Sequence, residues 1–143
     1  MKVSLIVSTY NRPDALDVCL KSILVQVMLP DEILVADDGS NEETARIVEE
    51  YRRRFDIPVI HVWHEDEGFQ LAKIRNKAIA KASFEYIVQI DGDLILHPYF
   101  ILDHKKFAQK NSIVRASRIY LDRELSIKKL GTLDPKINRF DKR

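Results

Sequence analysis

The stretch Tyr86-Ile87-Val88-Gln89-Ile90-Asp91-Gly92-Asp93-Leu94 decides how the chain is read. Its first five residues are apolar or aromatic but for Gln89, and they predict a strand buried over most of its length. Such a strand should not end in two unpaired carboxylates, because an isolated charge taken out of water is costly. A divalent cation would remove that cost. Hard cations such as Mn²⁺ or Mg²⁺ take oxygen ligands and, where the protein supplies few, complete the shell with water and substrate phosphates. In extended chain the two-residue spacing sends Asp91 and Asp93 to the same side. Gly92 between them lets the backbone bend and a ligand come close. Asp91 and Asp93 are therefore expected as metal ligands beside a phosphorylated substrate, with an ordinary Asp-Gly turn as the plain alternative.

On either side of this strand, β-rich runs alternate with helical spacing. Val3–Val7 predicts a first strand, and Asn11 a cap for a helix beginning at Arg12 or Pro13 and carrying Leu16, Leu20, Ile23, Leu24 and Val27. Glu32–Ala36 predicts a second strand. Ser40 and Glu43 have capping-box spacing for a helix carrying Val48, Tyr51 and Phe55. Pro58–Trp63 predicts a third strand, and Leu71, Ile74, Ala78, Ile79 and Ala82 a helix before the Tyr86–Ile90 strand. A helix over Tyr99–Gln109 and a fifth strand over Ser112–Ile119 complete the pattern. Alternation of this kind implies βαβ units: an α/β, Rossmann-like, mainly parallel sheet with helices on both faces. Right-handed crossovers collect the strand C-terminal ends on one edge, where open sheets of this class bind ligands.

The chain has 143 residues, enough for one domain with a core; 45% are hydrophobic and 31% charged. A formal charge of +1 argues against a protein built to hold nucleic acid. The lone cysteine, Cys19, excludes an internal disulfide and falls at an apolar helical position, as a buried thiol would. No apolar stretch reaches transmembrane length. Only Met1-Lys2 precedes the first strand, which leaves no room for a signal peptide. The expected setting is cytoplasmic, with peripheral association at the inner face of the membrane kept open.

Two further clusters fall at strand ends and a third opens a helix. In Asp37-Asp38-Gly39-Ser40, Asp38 is expected to face a ligand, where a carboxylate accepts from a base imide or a ribose hydroxyl, and Asp37 to serve the turn. In Ser8-Thr9-Tyr10-Asn11-Arg12, backbone N–H groups, an aromatic ring and a guanidinium suit a base and its phosphates, against helix capping and a solvated Arg12. Gln70, Lys73 and Arg75 open the third helix as candidate phosphate or nucleotide contacts, at least one of them expected to be solvated or ion-paired. Of the histidines, His61 and His64 flank Trp63, while His97 is close enough to the acidic triplet to reach a metal or phosphate; solvation or capping is the default. The basic stretch Lys128–Arg143 reads as a frayed tail or an unfinished element.

Taken together, Val7-Ser8-Thr9-Tyr10-Asn11-Arg12, Val35-Ala36-Asp37-Asp38-Gly39-Ser40, Arg75-Asn76-Lys77-Ala78, Glu85-Tyr86-Ile87-Val88 and Asp91-Gly92-Asp93 followed by Pro98 resemble family 2 glycosyltransferases of the GT-A fold, over Lys2 to about Tyr120. Glu67-Gly68-Phe69-Gln70 is similar to bacterial polysaccharide-synthesising members. The resemblance implies inverting transfer from a nucleotide-sugar donor, commonly a UDP-sugar, to a saccharide or lipid-linked acceptor, with Mn²⁺ or Mg²⁺. It implies uracil contact by Asp38, ribose or sugar contact by Asp91, metal ligation by Asp93 with Asp91 beside it, and a base pocket along Ser8 to Tyr10. Arg12, Gln70, Arg75 and Gly92 complete the expected donor site. Residues 1–120 are then a nucleotide-sugar-binding domain, and residues 121–143 a basic tail or the start of an acceptor-binding portion.

Family members usually carry a further C-terminal portion with a carboxylate that deprotonates the acceptor. After Tyr120 the chain offers Asp122, Glu124, Asp134 and Asp141, none in a matching context, so no general base is assigned and the chain reads as lacking the acceptor half. The rival from another class is a nucleotide-sugar-binding module without turnover. A sugar nucleotidyltransferase would need a Gly- and Lys-rich first loop, an aspartate-nucleophile phosphatase an acidic pair after the first strand, and a Rossmann dehydrogenase a G-x-G-x-x-G. The chain has none of these.

Overall fold

The computed structural model describes residues 1–137. Four strands, β1 (Val3–Thr9), β2 (Glu32–Asp37), β3 (Val59–Trp63) and β4 (Tyr86–Asp91), form one sheet in the order β3-β2-β1-β4, and every pairing is parallel. The helices are α1 (Pro13–Leu24), α2 (Glu42–Arg54), α3 (Leu71–Lys81), α4 (Phe100–Phe107) and α5 (Arg123–Thr132).

Strand alternation sorts the core into two layers. Val3, Leu5 and Val7 of β1, with Ile33, Val35, Val59, Val88 and Ile90, pack on one face with Leu16, Leu20 and Ile23 of α1, Val48 and Tyr51 of α2 and Ile101 of α4. Ile6, Leu34, Ala36 and Val62 face the other way, onto Ile74 and Ala78 of α3. β1 is buried along its whole length because both faces are covered and both edges paired. Two buried polar anchors brace this core. The Asp17 carboxylate accepts from the Tyr51 hydroxyl at 2.7 Å and from Lys21 at 2.7 Å, tying α1 to α2. Glu32 accepts from Ser4 Oγ (2.7 Å), Ser83 N (2.6 Å) and Ser83 Oγ (2.9 Å), tying the start of β2 to the loop before β4.

Several expectations change. β4 is an edge strand, so only Val88 and Ile90 are buried while Gln89 is exposed; Asp91 at its end and Asp93 beyond it are not drawn into the core. The strand also stops at Asp91, and Gly92 and Asp93 lie in a turn, so strand alternation does not set the direction of Asp93. Ser112–Ile119 forms no strand: the β-rich segment pairs with nothing among the described residues, and Ile113 is 97% exposed. Asn11 does not cap α1; it takes a left-handed conformation (φ 47°) and its side chain accepts from Asn41 N at 3.1 Å. The α2 cap is Asn41, which accepts from Glu43 N, rather than Ser40. Ser40 Oγ accepts instead from Asn11 N at 2.9 Å, so these two residues clasp the first strand-to-helix turn to the second. The basic tail contains α5, capped by Asp122 and lying against α1. Residues 138–143 of that tail, Asp141 included, lie outside the described residues.

Candidate functional site

Parallel pairing places the strand ends side by side. Ser8 is in register with Asp91, and Thr9 with Asp37, which is in register with Trp63. The ladder runs one step past the strands on both sides of β1: Asp38 N donates to Thr9 O at 3.0 Å and Gly92 N to Ser8 O at 2.7 Å. That second contact explains the glycine, since a Cβ at Gly92 would stand 2.8 Å from Ser8 O.

Around this edge the polar side chains hold one another. Arg75, one turn into α3, donates from Nε to Ser8 Oγ at 2.9 Å and from Nη2 to Asp91 Oδ1 at 2.6 Å. Asp37 is fully buried, with one oxygen on Ser40 N at 2.8 Å and the other on His61 Nε2 at 2.8 Å, and it serves the turn as expected. Asp38 is 3% exposed; Oδ1 meets His64 Nε2 at 2.7 Å, and Oδ2 accepts from Gln70 N at 2.9 Å, beside the positive end of α3. The Gln70 side chain turns away to Glu67, as does Lys73.

The rim is aromatic and charged. Tyr10 is 48% exposed and its hydroxyl donates to Asp66 Oδ2 at 3.0 Å; that hydrogen bond pushes the phenol pKa up, and the Asp38 charge adds to it. The Asp66 backbone packs on Gly39 so closely that a Cβ there would lie 2.6 Å from Asp66 Cα, and Gly39 holds φ 96°, a conformation glycine adopts freely. Arg12 is exposed and pairs with Asp14, which raises its pKa; the Asp93 charge acts in the same direction, placing Arg12 within reach of Asp93's field. Asp93 itself is exposed and pairs with no described residue. His97 is exposed and its ring accepts only weakly, from Tyr99 N at 3.4 Å.

As a donor set for a cation, Asp93 offers an unengaged carboxylate and Asp91 one oxygen besides that held by Arg75. Among the described residues there is no cluster of three or more ligating side chains. Such a set fits a hard ion that keeps water and takes phosphate oxygens from a ligand, and not a closed protein cage.

The sequence matches the glycosyl transferase family 2 profile over residues 4–142. The chain belongs to glycosyl transferase family 2. This family 2 chain is 34% identical over 100 residues to the hyaluronan synthase of Pasteurella multocida, covering 69% of this chain and 10% of that protein. Among solved structures it superposes on Staphylococcus aureus TarS 1-349 in complex with UDP-GlcNAc with a TM-score of 0.62 at 32% identity, over 75% of this chain and 31% of that one. It superposes on the mannosyltransferase PcManGT of Pyrobaculum calidifontis in complex with GDP-Man and Mn²⁺ with a TM-score of 0.64 at 27% identity, over 74% and 32%. The fold is therefore of GT-A type, and the chain spans about a tenth of the hyaluronan synthase and about a third of the two solved chains.

The family 2 sequence left two partners unread. His64 and Lys77 were not among the expected site residues, yet His64 holds Asp38 and Lys77 Nζ lies 3.3 Å from His64 Nδ1. The available signal was a pair of adjacent aspartates at the end of β2 and two histidines, one within and one just after the neighbouring strand β3. Two of the carboxylates after Tyr120 have local duties: Asp122 accepts from Leu125 N at 2.8 Å, and Asp134 from Lys136 N at 3.0 Å.

Proposed function

We propose that this chain is the donor-binding part of a metal-dependent, inverting glycosyltransferase that moves a sugar from a UDP-sugar to a saccharide or lipid-linked acceptor in cell-surface polysaccharide synthesis. It would act in the cytoplasm, at the inner face of the membrane. The observation that carries this reading is the interlocked edge itself: Arg75 of α3 fixes Ser8 of β1 to Asp91 of β4, Asp38 just after β2 is held by Gln70 N at the start of the same helix, and Asp93 stays open. The complexes of TarS with UDP-GlcNAc and of PcManGT with GDP-Man and Mn²⁺ support it, as does the likeness to a hyaluronan synthase.

In this reading Tyr10 offers its exposed ring face to the base, the backbone from Ser8 to Tyr10 lines the pocket, and Asp38 accepts from the base imide. Asp91 faces ribose or sugar, its orientation set by Arg75, and Asp93 with Asp91 holds Mn²⁺ or Mg²⁺. Arg12 and the Gln70 end of α3 add positive potential near the phosphates. The ion supplies charge stabilisation to the departing diphosphate. Residues 1–120 form the donor-binding domain, and residues 121–143 are a basic tail or the start of an acceptor-binding portion.

A second reading, a nucleotide-sugar-binding module without turnover, is favoured by the local engagement of Asp122 and Asp134, which leaves the acceptor base unassigned. Titration calorimetry with UDP, with and without Mn²⁺, beside a sugar-transfer assay separates the two. Mn²⁺-dependent binding with turnover supports the transferase, binding without turnover supports the module, and no binding under either condition removes both.

A further inference from the structure

We propose that His64 and Lys77 are positioning residues that lock Asp38 as a hydrogen-bond acceptor, and so set a preference for a uracil base over a cytosine base. The inference rests on the reading of this edge as a nucleotide-sugar site and adds residues which that reading does not contain.

The Lys77 ammonium lies 3.3 Å from His64 Nδ1, and an ammonium has donors only. Nδ1 must therefore carry the lone pair, and the ring proton sits on Nε2, 2.7 Å from Asp38 Oδ1. Lys77, His64 and Asp38 thus form a one-way line of donation from the exposed side of α3 to the buried end of β2. The other Asp38 oxygen is fixed by Gln70 N. Of the roughly four lone-pair positions on a carboxylate, two are held by donors that cannot reverse. What remains to a ligand is an acceptor of fixed direction.

The imide N3–H of uracil donates to such a group. Cytosine N3 carries a lone pair there and would face a carboxylate that has nothing to give. Sites built to bond one polar group discriminate strongly against a ligand lacking it, because the buried partner is left unpaired. A His64 free to take the other tautomer would turn a lone pair toward Asp38 Oδ1 and loosen the carboxylate.

The test has two arms on the full chain. Nitrogen-15 NMR of the imidazoles without ligand reads the tautomer, with the Nε2–H form expected for His64. Titrations with UDP and with CDP, both with Mn²⁺, then compare wild type with His64→Leu, His64→Gln and Lys77→Met. His64→Leu is expected to lose about tenfold in UDP affinity with little change for CDP. His64→Gln, whose amide still donates, should recover most of it, and Lys77→Met should lose roughly threefold. UDP and CDP weakening by the same factor, or an Nδ1–H tautomer in wild type, overturns the inference. If wild type binds UDP and the UDP-to-CDP ratio is unmoved in every variant, this inference fails alone. If wild type binds neither nucleotide, the nucleotide reading fails and takes it along. Should His64→Leu not fold, Lys77→Met decides, since Lys77 is exposed and its loss leaves no cavity.

Discussion

Arg75 holds Asp91 at 2.6 Å while its Nε holds Ser8 at 2.9 Å, so one guanidinium from α3 fixes the ends of both β1 and β4. The pair is partly exposed, 30% for Arg75 and 45% for Asp91. Its worth to stability is therefore small, and its effect is to aim a carboxylate. Arg75→Met should leave the unfolding free energy within about 1 kcal/mol of wild type and weaken Mn²⁺-dependent UDP binding about tenfold. Arg75→Lys should not rescue, because one ammonium cannot reproduce the fork that spans Ser8 and Asp91. Calorimetry and urea unfolding on the two variants check this. A rescue by lysine would mean that charge alone matters.

Asp93 is exposed and pairs with no described residue. Removing an unpaired surface carboxylate costs the fold little, within about 0.5 kcal/mol. Asp93→Ala should therefore keep its melting temperature and lose the Mn²⁺-dependent part of UDP affinity. Unchanged affinity with Mn²⁺ present would strike Asp93 from the metal assignment.

Gly92 is a packing requirement. With a Cβ only 2.8 Å from Ser8 O, Gly92→Ala must push β4 away from β1 and weaken the Gly92 N to Ser8 O bond. A loss of about 1–3 kcal/mol is expected, read from the shift of the urea midpoint. A variant as stable as wild type would show that the turn yields freely.

Glu32 gives the fold an acid-sensitive joint. Burial pushes its carboxyl upward, but hydrogen bonds from Ser4, Ser83 N and Ser83 Oγ outweigh it and hold the pKa below the usual value. A depressed folded pKa stabilises fully above the unfolded value of about 4.3 and is lost as pH falls through the lower folded value. Glu32→Gln should be less stable than wild type at pH 7, with a shallower decline below about pH 4. Parallel declines in the two proteins would place the acid sensitivity elsewhere.

Cys19 is fully buried among core residues, and burial pushes its thiol up to about 12. The native protein should resist a thiol reagent at pH 8 and react at once in urea. Rapid reaction under native conditions would show that α1 opens.

The alternation of β-rich and helix-periodic runs was enough to give the parallel α/β sheet and to bring three of the polar clusters to one edge. Those properties follow from side-chain period and strand polarity, which are local. The expected strand at Ser112–Ile119 was not legible, because β-propensity describes a segment that fits a sheet and says nothing about whether a partner edge is available.

At the site, the residue types of Ser8, Asp38, Arg75, Asp91 and Asp93 and their positions at strand and helix ends were fixed by the chain itself. Which of them face each other was not. Asp38 meets His64, 26 residues away, and Arg75 meets Ser8, 67 residues away. Such pairs depend on the register between β1, β2 and β4 and on the seating of α3, which only the packed core decides. The sequence could supply a set of charges at one edge; the tertiary structure determined which are already neutralised by a partner and that Asp93 is left open.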